Sequence, residues 1–290
     1  MKVIKDIQLT GAGGRPFLLD VYFEMDGRAK PVVLFAHGFK GFKDWGIWDL
    51  AAREFAANGF VFIKFNFSHN GTTLAQPQDF ADLEAFGRNN YSKELADLEV
   101  VMQWLHSGRN ELPAKEASLE HIYLIGHSRG GATCAIKAAR DSRVKGLVTW
   151  AAVSSLAYAW QDKKLMEDWE RRGVYHVING RTGQHMPIYY QMYRDFMAQR
   201  EAFDVEQAIR NLGKPLMIIH GSDDPSVPVE AARQLHGWNA GSVLHLIEGG
   251  NHVFGGSHPY EGKKLPEHAQ ELVVASIGFL KGLAVSPGNT

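Results

Sequence analysis

Short apolar runs alternate with amphipathic stretches along most of this chain, and the alternation predicts its elements. Positions 4–10 and 17–23 read as two strands around the glycine-rich turn 11–14, an antiparallel start. Strands are then predicted at 32–36, 61–65, 121–125, 146–151, 215–220 and 242–247. Between them, helical spacing of apolar positions appears at 48–58, 92–105, 131–140 and 228–238. Strands that recur with helices between them imply a mostly parallel central sheet, with right-handed crossovers and helices on both faces. The stretch 153–213 breaks this rhythm, because about 60 residues separate two expected strands where a normal crossover needs far fewer. It reads as a helical cap inserted between the strands near 146–151 and 215–220. The core is then a single α/β domain formed by 1–152 and 214–290, with 153–213 as the cap or lid.

Within the cap, Tyr158, Trp160, Trp169, Tyr175, Tyr189, Tyr190, Tyr193 and Phe196 stand among charged residues. Such aromatics either anchor the cap or line an apolar pocket. Polar loops are expected at 68–79 and 255–264, both on the side of the strand ends.

Composition narrows the partners. The chain has 290 residues and a formal net charge of -1, which offers no long-range attraction to nucleic acid or to an anionic membrane surface. No stretch reaches the roughly 18 apolar residues of a membrane span, and the first residues lack the apolar core of a signal peptide. A cytoplasmic protein acting on a small molecule is expected, with a homodimer left open. A lone cysteine, Cys134, has no partner for an intrachain disulfide and falls on a helix as a small buried side chain. The 13 histidines form neither H-x-H nor H-E-x-x-H, so no metal is expected. No G-K-[ST] or G-x-G-x-x-G pattern follows the first parallel strand, so no nucleotide cofactor is expected either.

The chemistry concentrates at four places. Gly126, His127, Ser128, Arg129 and Gly130 read G-x-S-x-G between a strand and a helix, the context of a nucleophile elbow. The strand at 215–220 ends in Gly221, Ser222, Asp223 and Asp224; either carboxylate is placed to orient a base. The strand at 242–247 ends in G-G-N-H, with His252 just past it. Crevices of open α/β sheets lie at the carboxyl ends of the strands, so these groups converge in space. A fourth loop, His37-Gly38-Phe39-Lys40-Gly41, follows the strand at 32–36. It would supply one backbone donor of an oxyanion hole, Phe39, beside the amide of Arg129. His37 is expected to brace that loop, His127 to pack behind the serine, and His220 to be structural.

Together H-G-F-K-G at 37–41, G-H-S-R-G-G at 126–131, H-G-S-D-D-P-S-V-P at 220–228 and G-G-N-H-V-F at 249–254 resemble the α/β-hydrolase superfamily. The likeness is to its serine esterase and prolyl-oligopeptidase-like, dienelactone-hydrolase-related branch. The resemblance implies Ser128 as nucleophile, His252 as base and Asp224, rather than Asp223, as acid. It further implies a carboxylesterase for small apolar or aromatic acyl groups, working without a cofactor. A peptidase or amidase with the same triad, or a catalytically silent ligand-binding protein, are the alternative readings.

Overall fold

The apolar runs assemble as the strands of one eight-stranded sheet. The computed structural model describes residues 1–108, 110–157, 160 and 162–285. Strands β1 (Lys2–Thr10), β2 (Pro16–Phe23) and β3 (Lys30–Ala36) lead into helix α1 (Trp48–Ala57) and strand β4 (Val61–Phe65). A long connection holding the short helix α2 (Leu83–Gly87) precedes α3 (Tyr91–His106), β5 (Ala117–His127), α4 (Arg129–Arg140) and β6 (Val144–Trp150). The spatial order begins β1-β2-β4-β3-β5-β6 and is completed by β9 (Leu216–Gly221) and β10 (Val243–Ile247). Within this sheet the β1/β2 and β2/β4 pairs are antiparallel and the other pairs are parallel.

The inner strands are buried on both faces, so their two sets of alternate residues enter two separate cores. Val32, Leu34, Ile122 and Leu124 meet α3, α4 and α8 (Glu230–Trp238) on one side. Val33, Phe35, Tyr123 and Ile125 meet α1 and α9 (Glu267–Val285) on the other. The sheet flanked by helices on both faces agrees with the sequence pattern. Helix α9 was not anticipated, although Ala269, Leu272, Val273, Ile277 and Leu280 repeat at helical spacing and close the second core. Its Ser276 hydroxyl accepts a hydrogen bond from Trp150 Nε1 at 2.9 Å, satisfying an indole buried in the sheet.

The segment between β6 and β9 contains α5 (Lys163–Arg172), α6 (Gln191–Ala198) and α7 (Val205–Arg210), and also an antiparallel ribbon of β7 (Val174–Ile178) and β8 (His185–Tyr189). The ribbon departs from an all-helical insertion because VYHVI and HMPIY are rich in β-branched and aromatic residues and flank a short turn. Gln184 Nε2 donates to Phe80 O at 3.1 Å and Gln191 Nε2 to Asn89 O at 2.7 Å, which ties the segment to the connection around α2. Trp169 is fully buried, with Tyr175 and Tyr190 edge-on at 4.8 and 5.3 Å. Tyr158 lies outside the described residues. Among the described residues, no helix is long and apolar enough to cross a membrane.

One polar cluster is as buried as the core. Asp20 on β2 lies directly across from Lys64 on β4, and both are fully buried. Lys43, from the loop after β3, donates to both oxygens of Asp20 at 2.9 Å and to Asp44 at 2.7 Å, while Lys64 also pairs with Asp44. Lys43 N donates to Asn66 Oδ1 at 2.7 Å, so the cluster fixes the end of the loop that begins at His37. Burial opposes ionisation of Asp44, but Lys64 and Lys43 outweigh it and hold the carboxyl well below the usual carboxylate range.

A depressed carboxyl contributes stability that is fully present above its unfolded-state pKa of about 3.9 and is lost as pH falls below it. In urea titrations, the stability difference between the protein and Asp44→Asn should therefore be roughly constant from pH 7 to 5 and shrink by pH 3. Lys43→Ala, which strips a partner from a fully buried carboxylate, should lower stability at pH 7 by about 3–5 kcal/mol. An unchanged urea midpoint would contradict the cluster's role.

Candidate active site

At the junction of β5 and α4, Ser128 adopts φ 55 and ψ -123, a conformation in which a residue with a side chain is strained. Packing around the turn enforces it. A Cβ on Gly126 would overlap the Gly130 carbonyl, and one on Gly130 would overlap the Ala36 carbonyl and stand 2.5 Å from His37 O. The turn is thus pressed between its own strand and the end of β3, and only glycine fits on either side of the serine. Ser128 N donates to Trp150 O at 2.8 Å, which pins the turn to β6. The hydroxyl makes no hydrogen bond among the described residues.

The loops after β9 and β10 interlock. Asp223 N donates to Gly250 O at 3.0 Å, and Gly249 N to Ser222 Oγ at 2.8 Å. A Cβ on Gly221 would overlap the Gly250 carbonyl, so the two chains approach as closely as backbone allows. The two adjacent carboxylates then diverge. Asp223 is exposed and accepts from the Ser222 hydroxyl at 2.9 Å. Asp224 is buried, with its Oδ2 2.7 Å from His252 Nδ1. Asp224 Oδ1 accepts from Ser226 N at 2.8 Å and Val227 N at 2.9 Å, and His220 Nε2 lies 3.3 Å from Oδ2. Burial opposes its ionisation, but hydrogen bonds from His220 and His252 prevail and keep its carboxyl well below the usual range. An ionised carboxylate only accepts, so the His252 proton sits on Nδ1 and leaves Nε2 with its lone pair.

Two further histidines beside the site, His127 and His37, are held neutral by burial. His127 Nε2 donates to the His252 carbonyl at 2.8 Å and its ring stands 4.8 Å from the His252 ring, binding the His252 loop to the residue before Ser128. Burial, with the His252 charge next, lowers its pKa to about 3. His37 Nδ1 donates to Gly38 O at 2.9 Å and Nε2 accepts from Phe67 N at 3.3 Å, the bracing role expected from its place. Burial lowers its pKa to about 4.

The loop after β3 lies against the serine: a Cβ on Gly38 would come within 2.8 Å of Ser128 Cβ. The Phe39 amide next to it makes no hydrogen bond among the described residues. Arg129 opens α4, where the helix dipole presents its positive end. The five residues Ser128, Asp224, His252, Phe39 and Arg129 are therefore neighbours, joined through Asp224 to His252, His252 to His127, and Gly38 to Ser128.

One buried group beside the site escaped the sequence. Glu94 of α3 is buried beside the site, its Oε1 accepting from Arg129 Nη2 at 2.6 Å and Asn89 Nδ2 at 2.7 Å. The signal was available, since Tyr91, Glu94, Leu98, Val101 and Leu105 share the buried face of α3, where a carboxylate needs a partner. A cavity of about 550 Å³ between α6, α7 and α8 is lined by Trp160, Tyr193, Phe196 and Trp238 but by none of Ser128, Asp224 or His252. Cys134 is buried, and burial pushes its thiol up. Among the described residues, no group of three or more His, Cys, Asp or Glu side chains is arranged to hold a metal ion.

Comparison with known proteins places this geometry in a family. Residues 33–262 match the model of the alpha/beta hydrolase family, and the chain belongs to that family. No curated protein matches it. The fold is similar to the esterase domain of a Rhodothermus marinus protein, at 20% identity and TM-score 0.59, covering 88% of this chain and 91% of that one. It is also similar to Est1E from Butyrivibrio proteoclasticus, at 16% identity and TM-score 0.68 over 99% of this chain and 100% of that one. A hyperthermophilic esterase from Pyrobaculum calidifontis gives 20% identity and TM-score 0.66, covering 98% of this chain and 87% of that one.

The choice between the two carboxylates has a direct readout. A low-field proton resonance from His252 Nδ1–H should be present in the protein and in Asp223→Asn, and lost in Asp224→Asn. Loss in Asp223→Asn with retention in Asp224→Asn would reverse the assignment.

Proposed function

We propose that the protein is a serine hydrolase of the esterase and prolyl-oligopeptidase-like branch, cleaving carboxylic esters of small apolar or aromatic acyl groups. The observation that carries this reading is the strained Ser128 at the β5/α4 turn, together with the His252 imidazole that packs on the adjacent His127 and whose Nδ1 is engaged by Asp224. A hydroxyl is a weak nucleophile until a base takes its proton, and an imidazole holding its own proton on Nδ1 has Nε2 available for that task. Among the described residues Ser128 Oγ makes no hydrogen bond to His252; contacts of this kind are often long in a resting site and tighten once substrate is bound.

In the proposed cycle, Ser128 Oγ attacks the ester carbonyl as its proton passes to His252 Nε2. The resulting oxyanion is held by the amides of Phe39 and Arg129. Collapse expels the alkoxide, which leaves as the alcohol with the proton from His252. Water then attacks the acyl-Ser128 ester by the same route and releases the acid. Asp224 keeps the imidazole oriented and stabilises its cationic form throughout. Residues 153–213 serve as the cap over this site. The acyl preference draws support from the aromatic rings of Phe39 and Phe86, 5.5 Å apart beside the catalytic loop, and from the similar Est1E fold, which has been solved with ferulic acid bound.

The purified protein should hydrolyse p-nitrophenyl butyrate with saturation kinetics. Ser128→Ala and His252→Ala should each reduce kcat by at least about four orders of magnitude while leaving the thermal unfolding curve intact. Wild-type protein without turnover, or a Ser128→Ala variant of full activity, would overturn the proposal.

A further inference from the structure

The two residues proposed to hold the oxyanion through their backbones also touch through their side chains. The Arg129 guanidinium lies over the Phe39 ring at 4.6 Å from its centroid. Arg129 is itself held by Glu94 at 2.6 Å, in a pair where both side chains are buried. Asn89 Nδ2 donates to the same Glu94 oxygen at 2.7 Å, and Thr133 Oγ1 reaches the other at 3.3 Å, so both carboxylate oxygens are occupied. On the far side, Phe39 packs against Phe86 at 5.5 Å, in the connection that carries α2.

Resting on the hydrolase reading above, we propose that Glu94 is a positioning residue for the oxyanion hole, acting through Arg129 to set the place of Phe39. Both amides must stand within a few tenths of an ångström of the developing oxyanion to stabilise it. The Arg129 amide is fixed by its place at the start of α4. Phe39 sits on a loop, and its amide is only as well placed as the loop is. A guanidinium held by a bidentate-capable carboxylate presents a flat, rigid face, and an aromatic ring stacked on that face fixes the residue bearing it. The pair is poorly explained by stability alone, because apolar side chains of similar volume commonly replace buried ion pairs without loss of stability. Glu94 touches neither substrate nor reacting atoms in this arrangement; its effect is transmitted through Arg129.

The oxyanion forms only during reaction, which gives the proposal a kinetic signature. With active sites counted by fluorophosphonate titration, Glu94→Gln should lower kcat on p-nitrophenyl butyrate by about 10–100-fold, with KM within about threefold of wild type. The inhibition constant of a trifluoromethyl ketone, whose Ser128 adduct carries an oxyanion, should rise in proportion. The pH dependence of kcat/KM should keep its shape, because the base is untouched. The double variant Glu94→Met/Arg129→Met, which avoids stranding a buried charge, should retain a wild-type melting temperature and show the same kcat loss. A folded double variant with kcat within threefold of wild type would overturn the proposal, as would a loss confined to KM or a displaced pH profile. Failure of the underlying reading is separately visible, since wild-type protein would then give no turnover, and the proposal would fall with it.

Discussion

The site depends on how closely main chain approaches main chain at the elbow. Gly126 and Gly130 let β5, α4 and the end of β3 come together at distances that no Cβ would permit, and Ser128 is left between them in a strained conformation. The strain is held by packing: Ser128 N is bonded to β6, and the elbow helix buries Ala132, Cys134 and Ala135 against the sheet. Because β3, β5, β6, β9 and β10 run parallel, the loops at their carboxyl ends emerge on one edge. The loops carrying Phe39, Asp224 and His252 thereby meet the serine. The same limit of approach operates a second time, where Gly221 lies on Gly250 and joins the Asp224 loop to the His252 loop.

Electrostatics completes what packing begins. Asp224 is a buried carboxylate with every oxygen occupied, and the donors around it keep it ionised. His127 and His37 are buried neutral, each with a defined tautomer, so they brace backbone without adding positive charge beside the base. The loop after β3 is secured at both ends: by His37 at its start, and at Lys43 by the buried ionic cluster around Asp20. Beside it, Glu94 and Arg129 form a second buried pair that bears on Phe39.

Most of this architecture is legible in the sequence because it rests on short-range signals. Buried parallel strands appear as unbroken apolar runs, and the glycines around Ser128, Asp224 and His252 mark turns at their ends. What the sequence analysis did not register falls into two kinds. Helix α9 and Glu94 were visible in principle, one as a repeat of apolar positions from Ala269 to Leu280, the other as a carboxylate on the buried stripe of α3. The Asp20–Lys64 pair is similar: each charge interrupts an apolar strand, and the two interruptions face each other across β2 and β4. Asp224 is singled out over Asp223 by the resemblance alone; the physical divergence of the two arises from the register between two loops, 28 residues apart in the pairing of Asp224 with His252. The β7/β8 ribbon was obscured by charged and aromatic residues whose spacing also suits a helix.

The proposed role of Ser128 as the one hydroxyl activated by this arrangement can be read by intact-mass spectrometry with peptide mapping. After brief exposure to a fluorophosphonate at neutral pH, a single adduct is expected, on Ser128, formed by the native protein and not by the urea-unfolded chain. No adduct on the native protein, or an adduct on a different serine, would contradict it.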